Sequence, residues 1–438
     1  MWDLAGAFDQ WATREIVDNL GPAPERVKPE DALAGPPTRY RWPVSDLMIE
    51  GVRIVDVVTG AVTEPRTVRI EGDTIASIVP APEPLEPRYL VPGLIDAHVH
   101  LVFDGGLDPI GSFRALDDEG RRRVALANAR VAVEAGITTV RDLGAPLSIV
   151  ADVARTIARG DAPGPDVVYA GAPITRVGGH IALFGGAVRD AREARALVER
   201  QVEAGARAVK LVVSGGGLTP GTRPDRAELP AAIVRAAVEA ARSLGVPVAA
   251  HCHASAAIAR AVDAAVATVE HASFVSPAGA VVFDRDLATR MLDGDVAAVP
   301  TLSGALRTAA RYRVAGAHNP NETNAIARLE SRRLVAAELL ALGVPLLAGS
   351  DAGVTDTPHD SLHDDLAAFV GIGMSPLQAI RSATVNAARR LGLPDRGTVE
   401  VGMRADLLVL DADPLEDVAA LRAPRSVISA GRLLPAAR

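Results

Sequence analysis

Two histidines at strand spacing, His98 and His100, close the run LVPGLIDAHVHL from Leu90 to Leu101. Alternate side chains of a strand leave on one face, so both imidazoles point the same way. Paired imidazoles at the end of a buried strand offer the nitrogen donors that zinc, manganese or iron accept. A metal held there needs further ligands, and the downstream sequence contains candidates. Lys210 lies inside the apolar run Arg207 to Val213, His251 and His253 end VAAHCH, His271 ends VATVEH, and Asp351 ends LLAGSD. Taken singly, each has an ordinary structural role: a hydrogen-bonded histidine, a snorkelling lysine, a helix-capping aspartate. Taken jointly, all six of His98, His100, Lys210, His251, His271 and Asp351 fall at strand ends or within strands, as ligands of one site would.

The elements that must position them read as an alternation of short apolar strands and Ala-rich helices, the pattern of a parallel sheet. Strands are expected at 90–103, 137–143, 166–173, 207–213, 246–252, 266–272, 296–302 and 344–350, with helices between them. Eight strand–helix units make an α/β (β/α)8 TIM barrel the economical choice, and in such a barrel the C-terminal strand ends converge. A doubly wound open sheet is the runner-up, but it calls for a Gly-rich phosphate turn after the first strand, and none is present. Short β patterns at 45–80 recur near the C-terminus, at Ala405 to Leu410 and Val427 to Ile428. Together they predict a small β-sandwich domain built from both ends of the chain, residues 45–88 plus 395–438, around a catalytic barrel at 89–394. Residues 1–44 read as a helix, with apolar Leu4, Phe8, Trp11, Ile16 and Leu20, followed by a Pro-rich linker.

Composition narrows the class of partner. The chain has 438 residues, 48% hydrophobic but only 3% aromatic, so Ala, Val and Leu must do the packing. A net charge of −8 argues against nucleic acid as a partner. No apolar run approaches the length of a membrane span. Cys252 is the single cysteine, and no signal peptide pattern opens the chain. A cytoplasmic protein acting on a small molecule is the expectation, with a homo-oligomer plausible.

This order of residues resembles the amidohydrolase superfamily: HxH on strand 1, Lys on strand 4, His on strands 5 and 6, and Asp on strand 8. The resemblance extends over nearly the whole chain after residue 45. It includes VPGLIDAHVH, the stretch Lys210 to Gly216 (KLVVSGG), the AHCH and VEHASF strand ends, GSDAG, and MSPLQAIRSATVNAARRLGL with GTVEVGMRADLLVLDADPLED. The SGG after the lysine and Gly178-Gly179-His180 look most like the imidazolonepropionase-related branch, which includes metal-dependent Xaa-Pro dipeptidases. The resemblance implies two divalent metal ions, zinc first, with manganese, cobalt or iron as other options. His98, His100 and Asp351 would hold the more buried ion, His251 and His271 the more exposed one, and a carboxylated Lys210 would bridge them. A bridging hydroxide would then attack the substrate carbonyl, with Asp351 as general base and then acid.

The expected function is hydrolysis of a C–N bond, amide, peptide or carbamate-like, in a small molecule. Lactone or ester hydrolysis and deamination are the alternatives on the same scaffold. His180, in a Gly-rich loop after strand 3, is a candidate catalytic contact to the substrate. His253, Arg223 and His359 are candidate substrate contacts, with an exposed loop position expected for His359. Cys252 is expected to point away from the lumen. The loops Phe103 to Asp118 and Arg307 to Asn324 are expected to shape the pocket.

Overall fold

Parallel strands and covering helices alternate from Leu94 onward, as the apolar pattern requires. A computed structural model describes Trp42, residues 46–315 and residues 320–434. The helix expected near the N-terminus and nearly all of the Pro-rich stretch lie outside the described residues. Trp42 is anchored, its indole donating to Leu433 O at 3.0 Å and its amide to Gly160 O at 2.9 Å.

Seven barrel strands are regular: Leu94–Val99, Ile137–Asp142, Asp166–Tyr169, Val209–Val212, Val248–Ala254, Thr268–Val275 and Ala297–Val299. They form a three-stranded and a four-stranded parallel sheet. Three parallel bridges join these into a ring. Ile174 pairs with Leu211, Ala298 with Leu346, and Val99 with Ala352, so residues 344–352 occupy the eighth position without being a full strand. The ring is the (β/α)8 barrel expected from the alternation.

Its lumen is filled by small and branched side chains, among them Ile95, Ala97, Val168, Ala208, Ala249, Ala297, Val299 and Leu347. The helix Val385–Leu391 packs into the same cluster through Ala387, Ala388 and Leu391. The outward-facing strand residues join a larger cluster with the surrounding helices, and Cys252 is one of them, as expected.

The first barrel strand is shorter than the apolar run suggested. Tyr89–Pro92 pairs instead with Leu407–Leu410 and with Leu47–Ile54, in a seven-stranded sheet made from both chain ends. That sheet folds over at an irregularity between Ile49 and Val52, so Val68, Ile70 and Ile75 of one half meet Leu90, Leu407 and Val409 of the other. The result is the small β-sandwich. The chain crosses from sandwich to barrel at Gly93, where any Cβ would lie 2.1 Å from Thr138 Oγ1. Only glycine allows so close an approach.

Candidate metal centre

Strand 1 reaches the site through a bulge. The four residues Asp96 to Val99 face the three from Val140 to Asp142, so the extra residue shifts the inward-facing register. Ile95 and Ala97 line the lumen below it, and His98 and His100 turn inward above it. The Asp96 carboxylate holds the bulge, accepting from His98 N at 3.0 Å, Ser350 N at 3.0 Å and Ser350 Oγ at 2.5 Å. Burial pushes the Asp96 carboxyl up to about 6, against those hydrogen bonds.

On strand 4 the alternation that sends Ala208 into the lumen sends Lys210 there too. Strand 5 does the same with Ala249, His251 and His253. Strand 6 bends after Glu270, where His271 (φ 67°) and Ala272 (φ 45°) adopt left-handed conformations. Asp351 (φ 59°) and Thr301 (φ 50°) do likewise. Such backbone is uncommon for side chains with a Cβ, and four of the ten such residues described lie at these strand ends.

These turns gather the six strand-end residues. Asp351 Oδ1 lies 3.3 Å from both His98 Nε2 and His100 Nε2. Lys210 Nζ is 3.3 Å from His98 Nε2, and His251 Nδ1 is 2.9 Å from His271 Nε2. Every one of the five basic side chains is buried.

The outer nitrogens decide what the inner ones present. His100 Nδ1 donates to Gly144 O at 3.0 Å, and His251 Nε2 donates to Gly215 O at 3.1 Å. A carbonyl can only accept, so each ring carries its hydrogen on the outside and a bare lone pair on the inside. His98 Nδ1 faces the Glu270 carboxylate, 2.8 Å from Oε2. His271 Nδ1 is 2.8 Å from Thr301 Oγ1. Lone pairs converging with a carboxylate are what a divalent cation fits.

Burial keeps three of the imidazoles neutral. It lowers His98 to about 4 with help from the Lys210 ammonium, and it drives His251 and His271 well below the ordinary histidine value. Burial also lowers Lys210 to about 8. Desolvation would raise Asp351, but His98, His100 and Lys210 hold its carboxyl far below the usual range.

His180 is brought to the same place. Its ring centroid is 5.0 Å from that of His251, its Nδ1 has no partner, and burial lowers it to about 4. A Cβ on Gly216 would lie 2.5 Å from His180 Nε2, so the glycine is needed to seat the ring. His253 stacks on His271 with centroids 4.6 Å apart, and its Nδ1 contacts Ser273 Oγ at 2.9 Å. His359 corrects the expectation of an exposed loop residue: it is 3% exposed, with Nε2 3.4 Å from His100 O. Arg223 is not drawn in. Its guanidinium grips Asp225 at 2.8 and 2.6 Å, while its backbone bonds Gly215 and Glu228.

Four buried supporting charges were not anticipated as site residues. Arg141 donates to Ala97 O at 2.7 Å, Thr268 Oγ1 at 3.1 Å and Glu270 Oε1 at 3.0 Å, so Arg141 and Glu270 form a buried pair behind His98. Asp142 accepts from Leu101 N at 2.8 Å and Gly144 N at 3.0 Å, fixing the segment that carries His100 and its carbonyl partner. Asp96 is the fourth. Their signal was available, since an Arg in ITTVRD or a Glu in TVEH is as foreign to a buried strand as Lys210.

Comparison with known proteins identifies the family and the fold. The sequence profile of the amidohydrolase family matches residues 89–434. The chain belongs to that family. It is 30% identical over 361 residues to an uncharacterized protein of Mycobacterium tuberculosis, covering 78% of this chain and 85% of that one. It is 26% identical over 371 residues to ochratoxinase of Aspergillus niger, covering 77% and 73%. Among solved structures, a Xaa-Pro dipeptidase with bound methionine in the active site superposes with a TM-score of 0.79 at 26% identity, over 89% of this chain and all of that one. These likenesses make the chain a hydrolase with Xaa-Pro dipeptidase-like structural neighbours. Among the described residues no helix is long and apolar enough to cross a membrane.

Proposed function

We propose that this amidohydrolase cleaves a C–N bond of a small molecule, amide, peptide or carbamate-like, with two divalent metal ions, zinc being the first choice. The observation that carries the reading is the set of bare imidazole nitrogens turned inward by carbonyl partners on their outer sides. His98, His100 and Asp351 would hold one ion, and His251 and His271 the other, with Lys210 between them. Bound ions supply a nucleophile from water near neutral pH and polarise the substrate carbonyl.

The chain's own residues do the rest. Lys210, buried and lowered to about 8, loses its proton readily, and the free amine adds to carbon dioxide to give an N-carboxylate and a proton. That converts a side chain with no lone pair to offer, when charged, into an oxygen donor. Asp351, kept ionised by its basic neighbours, accepts a proton from the attacking water and returns it to the leaving nitrogen. His180, kept neutral by burial, has a buried Nδ1 without a partner and would hydrogen-bond the substrate.

The test joins metal analysis to a substrate screen of N-acyl amino acids, dipeptides, carbamates and lactones. Two ions per chain, with at least one lost in Lys210→Ala and hydrolysis of a C–N substrate, is the expected result. One tightly bound ion unchanged by Lys210→Ala would replace the binuclear reading with a mononuclear one. Turnover of lactones alone would move the reaction to esters.

A further inference from the structure

Resting on the hydrolase reading above, we infer that the substrate carries an extended apolar arm ending in an anionic group, received by a pocket beside the metal centre with Arg114 as its anion contact.

The pocket has a volume of about 500 Å³ and is walled by the loops that follow strands 1, 3, 4 and 8. None of the candidate ligands lines it, so it lies beside the centre. It is nevertheless built onto it. Gly178 and Gly179 lead directly into His180, and Gly217 follows the glycine that seats the His180 ring. Ile181 N donates to Thr219 Oγ1 at 2.9 Å, tying the third and fourth loops together at the pocket wall. A volume of this size suits a sizeable group of a small molecule.

The lining sets the chemistry. Leu107, Ile110, Leu183 and Leu218 give an apolar wall, and Leu107 remains 59% exposed there. The pocket holds only two charged side chains, Asp108 and Arg114. Asp108 is committed to its own helix, Pro109–Ala115, accepting from Gly111 N at 2.9 Å. Arg114, in the last turn of that helix, has no hydrogen bond or ion pair among the described residues. An unmatched guanidinium at the edge of an apolar pocket is complementary to a carboxylate at the end of an apolar group.

Aromatic contacts brace the pocket walls. Phe113 from the helix packs on Phe184 of the short turn Ala182–Phe184 at 5.3 Å, and Phe103 on Phe184 at 5.2 Å. Phe103 in turn lies 5.8 Å from the His100 ring. The aromatic cluster therefore fixes the pocket in register with the metal centre.

The experiment measures binding by calorimetry to the full-length, metal-loaded protein. The probes are 4-phenylbutyrate and its neutral amide, 4-phenylbutyramide. The expected result is tighter binding of the carboxylate, a loss of about tenfold or more in Arg114→Ala, and partial recovery in Arg114→Lys. The neutral amide should lose less than half as much. Leu183→Trp, which fills the pocket, should abolish binding of both probes. Equal carboxylate affinity in wild type and Arg114→Ala would place the anion elsewhere, for instance on the metal, and overturn the inference. Undiminished binding in Leu183→Trp would do the same. Because binding is read without turnover, a protein that passes this test yet hydrolyses no C–N substrate would overturn the hydrolase reading alone.

Discussion

The two ends of the barrel bury polar groups in opposite ways. At the C-terminal end the site concentrates imidazoles, a lysine and Asp351, all turned inward and incompletely paired with one another. At the N-terminal end, Arg396 donates to Asp166 Oδ2 at 2.8 Å and Thr139 Oγ1 at 2.9 Å. Arg207 reaches Asp166 Oδ1 at 2.6 Å, and Arg404 reaches Asp406 Oδ2 at 2.9 Å. Each charge there meets its opposite, and the network ties the C-terminal segment to the strand starts. One end keeps lone pairs available for a cation; the other leaves nothing to bind. Activity and stability should therefore respond to different ends.

The largest expected effect separates them by function. Asp351→Asn should lower kcat by about 10²–10⁴-fold, the usual worth of a positioned general base, on whichever substrate the screen identifies. Its urea midpoint should not fall. A variant that unfolds at lower urea would show that Asp351 is a structural residue at the active end.

At the other end the signs reverse. Arg396→Met strips the half-buried Asp166 and the buried Asp406 of a partner, and breaking a buried pair costs roughly 3–5 kcal/mol. Urea denaturation should show that loss, while kcat of the folded fraction stays close to wild type. A large fall in kcat with unchanged stability would couple the two ends in a way the contacts do not suggest.

Much of this arrangement was legible in the sequence, for reasons the residues make plain. Polar residues ending or interrupting apolar runs can be seen without a structure, and Asp351 and the five residues gathered with it all have that form. The bulge at Asp96 to Val99 could not be seen, because it reverses the inward register without changing the apolar pattern. The same continuity hid the break at Gly93, where an unbroken apolar run serves two different sheets. His359 was misplaced because its burial depends on the segment carrying His100, far away in sequence. Arg141 and Glu270 stand out singly as charges in buried strands, but their pairing leaves no trace because 129 positions separate them. The ionic network at the barrel floor joins residues 139, 166, 207, 396 and 406, and separations of that length leave no local trace.

Acid should attack the two ends in different pH ranges. Burial lowers His359 to about 3, so it is neutral when folded and protonated more readily when unfolded. Stability from that source is complete above the ordinary histidine value of 6.5 and is lost as pH falls from there toward 3. At the floor, desolvation would raise Asp166, but Arg207 and Arg396 pull it down to about 2. Its contribution is complete above the ordinary 3.8 and is lost as pH falls toward 2, roughly 2 kcal/mol in all. Urea midpoints measured from pH 8 to pH 3 should therefore decline first in a phase that the buried histidines share and that His359→Gln makes shallower. A steeper decline below pH 4 should be the one that Asp166→Asn flattens. A single decline beginning near pH 4 in both wild type and His359→Gln would mean that the active end contributes nothing to acid lability.

The smallest effect probes how the active end is held. Thr301 Oγ1 is the outer partner of His271 Nδ1 at 2.8 Å, and Arg332 donates to the same hydroxyl at 2.7 Å. Thr301→Val keeps the shape and removes that hydroxyl, which is worth about 1 kcal/mol for a typical hydrogen bond. Its loss frees the His271 ring to rotate away from His251. Affinity for the more exposed metal ion should then drop about fivefold, measured by competition with a chelator, with little change in urea midpoint. An equal fall at both metal positions would show that the two halves of the centre are a single unit. A fall confined to one would show that the hydroxyl-held half and the half backed by Arg141 and Glu270 are tuned separately, the charged backing fixing His98 more firmly than a hydroxyl can fix His271.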